Sequence, residues 1–144
     1  MEKKNEFSLK DGFDVMDFDK VTGMLKEAYW SAGISKQEVM KGARNSALVV
    51  GAFNADNEQI GYSRVISDRT RFAYVLDVMV DRNYRKNGIG QAMVKHILSH
   101  PELKDVYQWL LITKDAHVVY RKAGFSPIAH PEGWMEIRHD RPAR

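Results

Sequence analysis

The sequence contains no cysteine among its 144 residues. This absence excludes disulfide bonds, thiolate metal sites and a cysteine nucleophile, and it suits a reducing compartment. No apolar run approaches the roughly 18 residues that a membrane-spanning helix needs, and the first ten residues lack the apolar segment of a signal peptide. We therefore expect a cytoplasmic protein that has no membrane partner.

Neither sign of charge dominates the sequence. It has 22 lysines and arginines against 19 aspartates and glutamates, and the basic residues are scattered along the chain. A pI near 9.1 permits nucleic-acid binding, which would show as a strongly salt-dependent affinity for any duplex. Because no extended basic run is present, we expect no nucleic-acid partner.

Internal repeats, low-complexity segments and interdomain linkers are also absent. The chain is 44% hydrophobic and long enough for one domain with a sizeable core, but too short for two ordinary ones. We expect a single domain over residues 1–144.

Two common phosphate-binding loops are missing, since the sequence has neither G-x-x-x-x-G-K-[ST] nor G-x-G-x-x-G. It does have an apolar stretch, Phe72 to Val80, followed by R-K-N-G-I-G and an amphipathic run from Ile89. An apolar stretch of this kind predicts a central strand, and the run predicts a helix. Glycines at a helix start let unpaired N–H groups approach an anion, and Arg85 and Lys86 add positive charge. The loop is thus a candidate diphosphate site.

Periodicity and capping residues predict the remaining elements. A polar lead-in over residues 1–10 precedes a short strand within 13–18. Helices are expected at 20–30 with Asp19 as cap, from a Ser35 capping box to Arg44, at 89–98, and at 116–122 with Asp115 as cap and Gly124 as C-cap. Strands are expected at 47–53, 59–67, 72–80 and 106–113, and as a terminal pair at 125–128 and 134–137. This order predicts an α/β (α+β) domain with a mixed, mostly antiparallel sheet and helices on both faces.

The strand, the R-x-x-G-x-G loop and the helix resemble the acetyl-CoA signature of the GNAT superfamily of acyl-CoA N-acyltransferases. The string Tyr120-Arg121-Lys122-Ala123-Gly124-Phe125 resembles a second part of that pattern. The resemblance implies acetyl-CoA as the acyl donor, no metal, and contacts to the coenzyme from the strand end, the loop and the following junction. The implied coenzyme-binding residues are Val78, Met79, Val80, Arg85, Lys86, Asn87, Gly88, Ile89, Gly90, Gln91 and Asp115.

Acyl transfer from a thioester to an amine needs a neutral amine, a stabilised oxyanion and a proton for the departing thiolate. The resemblance assigns the proton to Tyr120, and a phenol of pKa about 10 can protonate a thiolate of pKa about 8.5 with a modest uphill step. Packing of the Tyr120 ring in the core is the alternative. The resemblance also implies that a backbone N–H of Val78, Met79 or Val80 polarises the carbonyl.

Asp77 is the one acidic residue in the apolar strand. A desolvated carboxylate there is a candidate general base, and an ion pair with Arg64 on the neighbouring strand is an equally weighted alternative. Asp115 stands where the family often has a polar contact to the pantetheine arm, and helix capping is the favoured role. His96 and His100 have i, i+4 spacing, but the sequence shows neither H-E-x-x-H nor a third ligand, so they are interpreted as a solvated helix face.

The acceptor is the least constrained part of the prediction. The resemblance implies a pocket formed by the first two helices, the turn before the central strand and the terminal hairpin, with Tyr29, Trp30, Arg64, Tyr74 and Trp134 as candidates. Aromatic rings near a carboxylate suit a cationic amine. We expect a small-molecule primary amine as the acceptor, and the resemblance also implies a homodimer; a protein lysine or N-terminus as acceptor, and a non-catalytic acyl-CoA-binding regulatory module, remain alternatives.

Overall fold

The computed structural model describes residues 6–141 and 143–144. Strands and helices follow one another along this part of the chain in the order β1 (Ser8–Asp11), α1 (Phe18–Glu27), α2 (Lys36–Arg44), β2 (Leu48–Phe53), β3 (Gln59–Ser67), β4 (Phe72–Val80), α3 (Ile89–Leu98), β5 (Gln108–Leu110) and α4 (His117–Lys122). Within these residues, no helix has both the length and the apolar character needed to cross a bilayer.

The five strands form one sheet in the order β1-β2-β3-β4-β5. The first three pairings are antiparallel and β4 pairs with β5 in parallel. The mixed, mostly antiparallel sheet is therefore confirmed, and β4 is an interior strand, as its apolar sequence predicts.

A hydrophobic core lies on each face of the sheet. On one face, α1 and α2 bury Val21, Leu25 and Val39 together with Tyr62 of β3. On the other, α3 buries its apolar stripe against β2, β3 and β4. The helices thus cover both faces, which confirms the predicted layering.

A β-bulge at Asp77 divides β4 into two halves. Arg64 pairs with Leu76 and Tyr62 with Met79, so Ser63 alone faces two residues of β4. Asp77 has a φ of 57°, which an aspartate tolerates better than most residues. Ala73 and Val75 pack in the α3 core, whereas after the bulge Val78 packs there and Met79 faces the α1 and α2 core.

The N-terminal prediction is wrong in two respects. The first strand is Ser8–Asp11, which begins within the predicted polar lead-in and ends one residue beyond it, and 13–15 form a 3₁₀ turn instead of a strand. Helix α1 begins at Phe18, and its cap is Asp17, whose side chain accepts a hydrogen bond from the Lys20 N–H at 3.1 Å. Asp17 and Asp19 both stand at this helix start, and Asp17 is the one that has the geometry of an N-cap. The Ser35 cap of α2 is confirmed by a bond from the Glu38 N–H at 3.2 Å.

The C-terminal prediction also needs correction. Neither 125–128 nor 134–137 forms a strand, and β5 covers three residues instead of the predicted eight. Asp115 does not cap α4, because the Thr113 hydroxyl accepts from the Ala116 N–H at 3.0 Å. Gly124, with φ of 108°, does close α4 as predicted, since the Phe125 N–H reaches Tyr120 O at 3.0 Å.

Candidate active site

The two parallel strands in the middle of the molecule separate soon after they meet. β4 and β5 share three register positions, from Phe72 opposite Gln108 to Tyr74 opposite Leu110. Beyond Tyr74, β4 continues for six more residues, to Val80, without a strand beside it on that edge. The second half of β4 therefore borders an opening, which leads toward the start of α3.

The start of α3 has the geometry of an anion site. Its N-cap is Gly88, in the left-handed region at φ 78°, and no side chain caps the helix. The first helical bond runs from the Ala92 N–H to Gly88 O at 3.0 Å. The N–H groups of Ile89, Gly90 and Gln91 therefore have no acceptor within the helix, and the positive end of its dipole lies with them.

The loop before α3 is held in shape by its own side chains. The Asn87 amide donates to Tyr84 O at 2.9 Å and to Arg85 O at 3.0 Å, and Arg85 Nε donates to Val80 O at 3.1 Å. Lys86, like Gly88, has a positive φ, here 66°. Arg85 and Lys86 are exposed beside the helix start, so both charges can reach a bound diphosphate.

Gly90 is not required by packing within the chain. A Cβ placed there would meet Val80 Cγ2 at 3.9 Å, which is ordinary contact. The glycine therefore keeps the start of α3 clear of a side chain without any gain in packing. The glycines and free amides at the start of α3 therefore fit the pyrophosphate of coenzyme A.

The backbone of β4 directs alternate N–H groups into the opening. The Asp81 N–H bonds to Ile60 O of β3 at 2.8 Å. Because successive N–H groups in a strand point to opposite edges, those of Val78 and Val80 point away from β3, and that of Met79 points toward it. Val78 and Val80 are thus the better oxyanion donors of the predicted three.

Tyr120 lies on α4, half-buried, with its ring 6.0 Å from that of Phe125. Burial, and secondarily the charge of Tyr29, raise the pKa of Tyr120 above its ordinary value. The hydroxyl is therefore protonated at neutral pH, and it is a weaker acid than a free phenol. The proton donation that the sequence suggests is more uphill than expected unless burial raises the pKa of the thiolate as well.

Tyr29 and Trp30, which follow α1, connect the two sides of this region. Their rings meet edge to face at 5.0 Å, and Lys114 Nζ lies 5.2 Å from the centre of the Tyr29 ring. Trp30 Nε1 donates to Asp77 Oδ1 at 3.0 Å. Lys114 was not among the sequence candidates, because nothing local connects it with an aromatic ring 85 residues earlier in the sequence.

Both oxygens of Asp77 have partners. Arg64 Nε lies 2.7 Å from Oδ2, and the two side chains are 18% and 13% exposed. Arg64 is held in turn by Gly42 O and Ser46 Oγ of α2 and its end, each at 3.4 Å. The ion pair that was weighed against the base role is therefore present, and Asp77 ties β4 to β3 and to Trp30.

A model of the acetyltransferase (GNAT) domain matches residues 44–127, more than half of the chain. The chain belongs to the GNAT acetyltransferase family. It is 29% identical over 126 residues to the histone acetyltransferase TAP1 of Glycine max and 31% identical over 119 residues to the chloroplastic GCN5-related N-acetyltransferase 2 of Arabidopsis thaliana. These alignments cover 86% and 79% of this chain, which spans about half the length of these relatives, 50% and 44%.

Solved GNAT structures share the fold. A protein from Xanthomonas campestris assigned to the GNAT family is 30% identical with a TM-score of 0.87, over 93% of this chain and 94% of the other. A Clostridium acetobutylicum protein described as an acetyltransferase, solved with acetyl-CoA, has a TM-score of 0.69 at 17% identity, over 92% of this chain and 96% of that one.

The predicted acceptor residues of this GNAT domain do not share one cleft. Tyr74 and Trp134, with the predicted catalytic Tyr120, line a large cleft of about 1030 Å³ between β5, α4 and the chain end. Arg64, with Asp77, lines a smaller one of about 320 Å³ beside α2, and Tyr29 and Trp30 line neither cleft. Tyr74 of the larger cleft and Asp77 of the smaller one lie three residues apart on β4, and burial and then the charge of Asp77 raise the pKa of Tyr74.

Proposed function

We propose that the protein is an acetyl-CoA-dependent N-acetyltransferase that transfers an acetyl group directly to a primary amine of a small molecule. The observation that carries the proposal is the opening between β4 and β5, which has an anion site at one end and the phenol of Tyr120 on the neighbouring α4.

The donor end is supported by the charges and free amides around the start of α3. The N–H groups of Ile89, Gly90 and Gln91, together with Arg85 and Lys86, would hold the pyrophosphate of acetyl-CoA. A structural neighbour of the same fold was solved with acetyl-CoA. Among the remaining predicted contacts, Asn87 and Gly88 shape the loop, whereas Asp115 has an exposed side chain at the α4 junction.

In the proposed reaction, the amine nitrogen attacks the thioester carbonyl carbon, and its lone pair forms the new C–N bond. The carbonyl oxygen then carries negative charge, and an N–H of Val78 or Val80 donates to it, a contribution of about 3 kcal/mol where such donors have been removed. As the carbonyl re-forms, the C–S bond breaks, the sulfur leaves with the electron pair, and the Tyr120 hydroxyl gives it a proton. The new amide nitrogen releases one proton to solvent, and the Tyr120 phenolate takes one proton back from solvent.

Asp77 has a positioning role in this proposal. Its carboxylate holds Arg64 and Trp30, and Trp30 carries Tyr29 toward Tyr120. The negative charge of Asp77 also favours the binding of an ammonium substrate nearby, before that ammonium loses its proton. The base role remains the competing assignment for Asp77.

The acceptor side is aromatic, with Tyr74, Trp134 and Tyr29 around the phenol. A soybean relative carries a histone acetyltransferase name, so a protein lysine is the second candidate acceptor. A negative charge near aromatic rings suits the cationic form of either a small amine or a lysine side chain.

The test is a thiol-release assay with acetyl-CoA across small amines, amino acids, lysine peptides and peptides with free N-termini. We expect turnover with small primary amines and weaker or no turnover with peptides. Turnover restricted to peptides would overturn the acceptor class. Binding of coenzyme A by calorimetry without turnover of any amine would indicate a regulatory module, and absence of binding would overturn the whole proposal.

A further inference from the structure

Two histidines and an aspartate from distant parts of the chain meet at the edge of the sheet opposite β5. His96 Nε2 lies 2.7 Å from Asp11 Oδ1, and His100 Nε2 lies 2.9 Å from Asp11 Oδ2. The three ligand atoms all lie within 4.8 Å of one another. The interpretation of the histidines as a solvated helix face is therefore wrong, because the third group comes from β1, 85 residues before His96.

We propose that Asp11, His96 and His100 bind a divalent transition-metal ion of the zinc class. Imidazole nitrogen and carboxylate oxygen are the donors that zinc, cobalt and nickel accept, and three protein ligands leave a position for water. Metal–ligand bonds of about 2.0–2.1 Å place tetrahedral ligands about 3.3 Å apart. The two aspartate–histidine contacts would therefore open by about 0.5 Å to admit the ion, and any wider spacing in the cluster, at most 4.8 Å, would close by about 1.5 Å or less.

The ligands are mounted on parts of the fold that packing already fixes. Asp11 pairs with Val50 in the sheet register, and Ile97, between the histidines, is fully buried. The His100 side chain is 14% exposed, and those of His96 and Asp11 are 33% and 35% exposed. Solvent can thus reach the cluster, so an ion has an entry path without unfolding.

His100 provides a specific marker of metal binding. Its Nδ1 accepts a hydrogen bond from the Glu102 N–H at 3.2 Å, so the proton of the metal-free ring is on Nε2, facing Asp11. A metal at Nε2 needs the lone pair there, so the proton must move to Nδ1 and the contact with Glu102 must be given up. The tautomer of His100 therefore reverses when the ion binds.

The site is separate from acyl transfer. It lies at the end of α3 opposite Gly88, and ten helical residues span roughly 15 Å. The bound ion would fasten the edge strand β1 to α3, so it would stabilise the folded chain without taking part in the proposed chemistry.

Zinc titration of the whole chain by calorimetry tests the proposal, with His96→Gln and Asp11→Asn as site variants and His139→Ala as a matched control. We expect one zinc per chain and a rise in Tm of about 5–10 °C at a hundred times Kd. Each site variant should lose at least about tenfold in affinity, whereas His139→Ala should match the parent. Magnesium should give no shift in Tm.

The proposal is overturned if the site variants bind zinc as tightly as the parent, or if magnesium raises Tm equally. A folding defect in one variant does not hide the answer, because long-range ¹H–¹⁵N spectra of the parent report the His100 tautomer directly. An unchanged tautomer at saturating zinc also overturns it.

Discussion

The phenol of Tyr120 is protonated over the whole physiological range, since burial and the neighbouring Tyr29 raise its pKa above the ordinary value. Tyr120→Phe removes the proposed proton donor and keeps the ring packed against Phe125. We expect kcat to fall about 10²- to 10⁴-fold with the calorimetric affinity for coenzyme A unchanged. Tyr107→Phe removes a second phenol from the same cleft, at a residue 72% exposed; it is the control and should retain most of the activity.

The pH profile of the same pair of proteins gives an independent check. A raised pKa means that Tyr120 loses its proton only above pH 10, so its deprotonation should cause no fall in rate between pH 7 and 10. An alkaline fall with a midpoint well below 10 that disappears in Tyr120→Phe would contradict the direction of the shift.

Asp77 combines a left-handed backbone with a nearly buried ion pair. Asp77→Asn suits the backbone but leaves Arg64 without its charged partner, so we expect a loss of about 2–4 kcal/mol in the free energy of unfolding. Asp19→Asn is the matched control: Asp19 is 82% exposed beside Lys36, and its loss should stay within about 1 kcal/mol. Urea titration measures both.

Activity of Asp77→Asn separates the two roles of this residue. A positioning role predicts a reduced rate with the acidic limb of the pH–rate profile unmoved. Disappearance of that limb would return Asp77 to the role of general base.

Among the elements, helix α3 contains a glycine, Gly90, that alanine can replace without a steric clash. Gly90→Ala has room in the folded chain and replaces a poor helix former, so stability should rise by about 0.5–1 kcal/mol. The added methyl group, however, stands in front of the free amides, and the affinity for coenzyme A should fall. Gly23→Ala, in α1 with open space around it, should raise stability alike and leave that affinity unchanged. Equal affinities in the two variants would contradict the assignment of the loop.

Elements with strong local signals could be predicted from the sequence, and those defined by partners could not. β3 and β4 have the predicted bounds because β-branched and apolar residues fill them between clear turns. β1 was missed, since Ser8–Asp11 has two polar ends and pairs through its backbone with β2. The chain end has strand-like alternation at 134–137, yet no described strand pairs with it.

The same limit separates the parts of the candidate site. The glycine loop and Tyr120 are found from local spacing, because a helix start and a helix cap are local features. The contact of Trp30 with Asp77 and the cluster of Asp11 with two histidines join residues 47 and 85 or more positions apart. The i, i+4 spacing marks the two histidines locally, but nothing local marks the addition of Asp11 or the contact of Trp30 with Asp77.

For the molecule as a whole, one sheet is shared by both cores, so the two faces should unfold together. Val21 of α1 and Ile97 of α3 are both fully buried. Val21→Ala and Ile97→Val should lower the free energy of unfolding by about 2 and 1 kcal/mol. Because they lie in different cores, the double variant should show the sum within about 0.5 kcal/mol. Far-UV dichroism and tryptophan fluorescence should give one midpoint in urea, and separate midpoints would mean that the faces unfold independently.

The bulge in β4 decides which face of the sheet each later residue of the strand occupies. One additional residue at Asp77 exchanges the sides of the sheet to which odd and even positions belong. Straightening the strand into a regular ladder with Asp77 still in it would send Met79 toward α3 and Val78 toward α1 and α2, and it would rotate the amides of the strand's second half toward the wrong edge. Deleting Asp77 would instead place Val78 opposite Ser63 in a regular ladder and keep Val78 and Met79 on their present faces, so a deletion here would remove the carboxylate without reversing the strand.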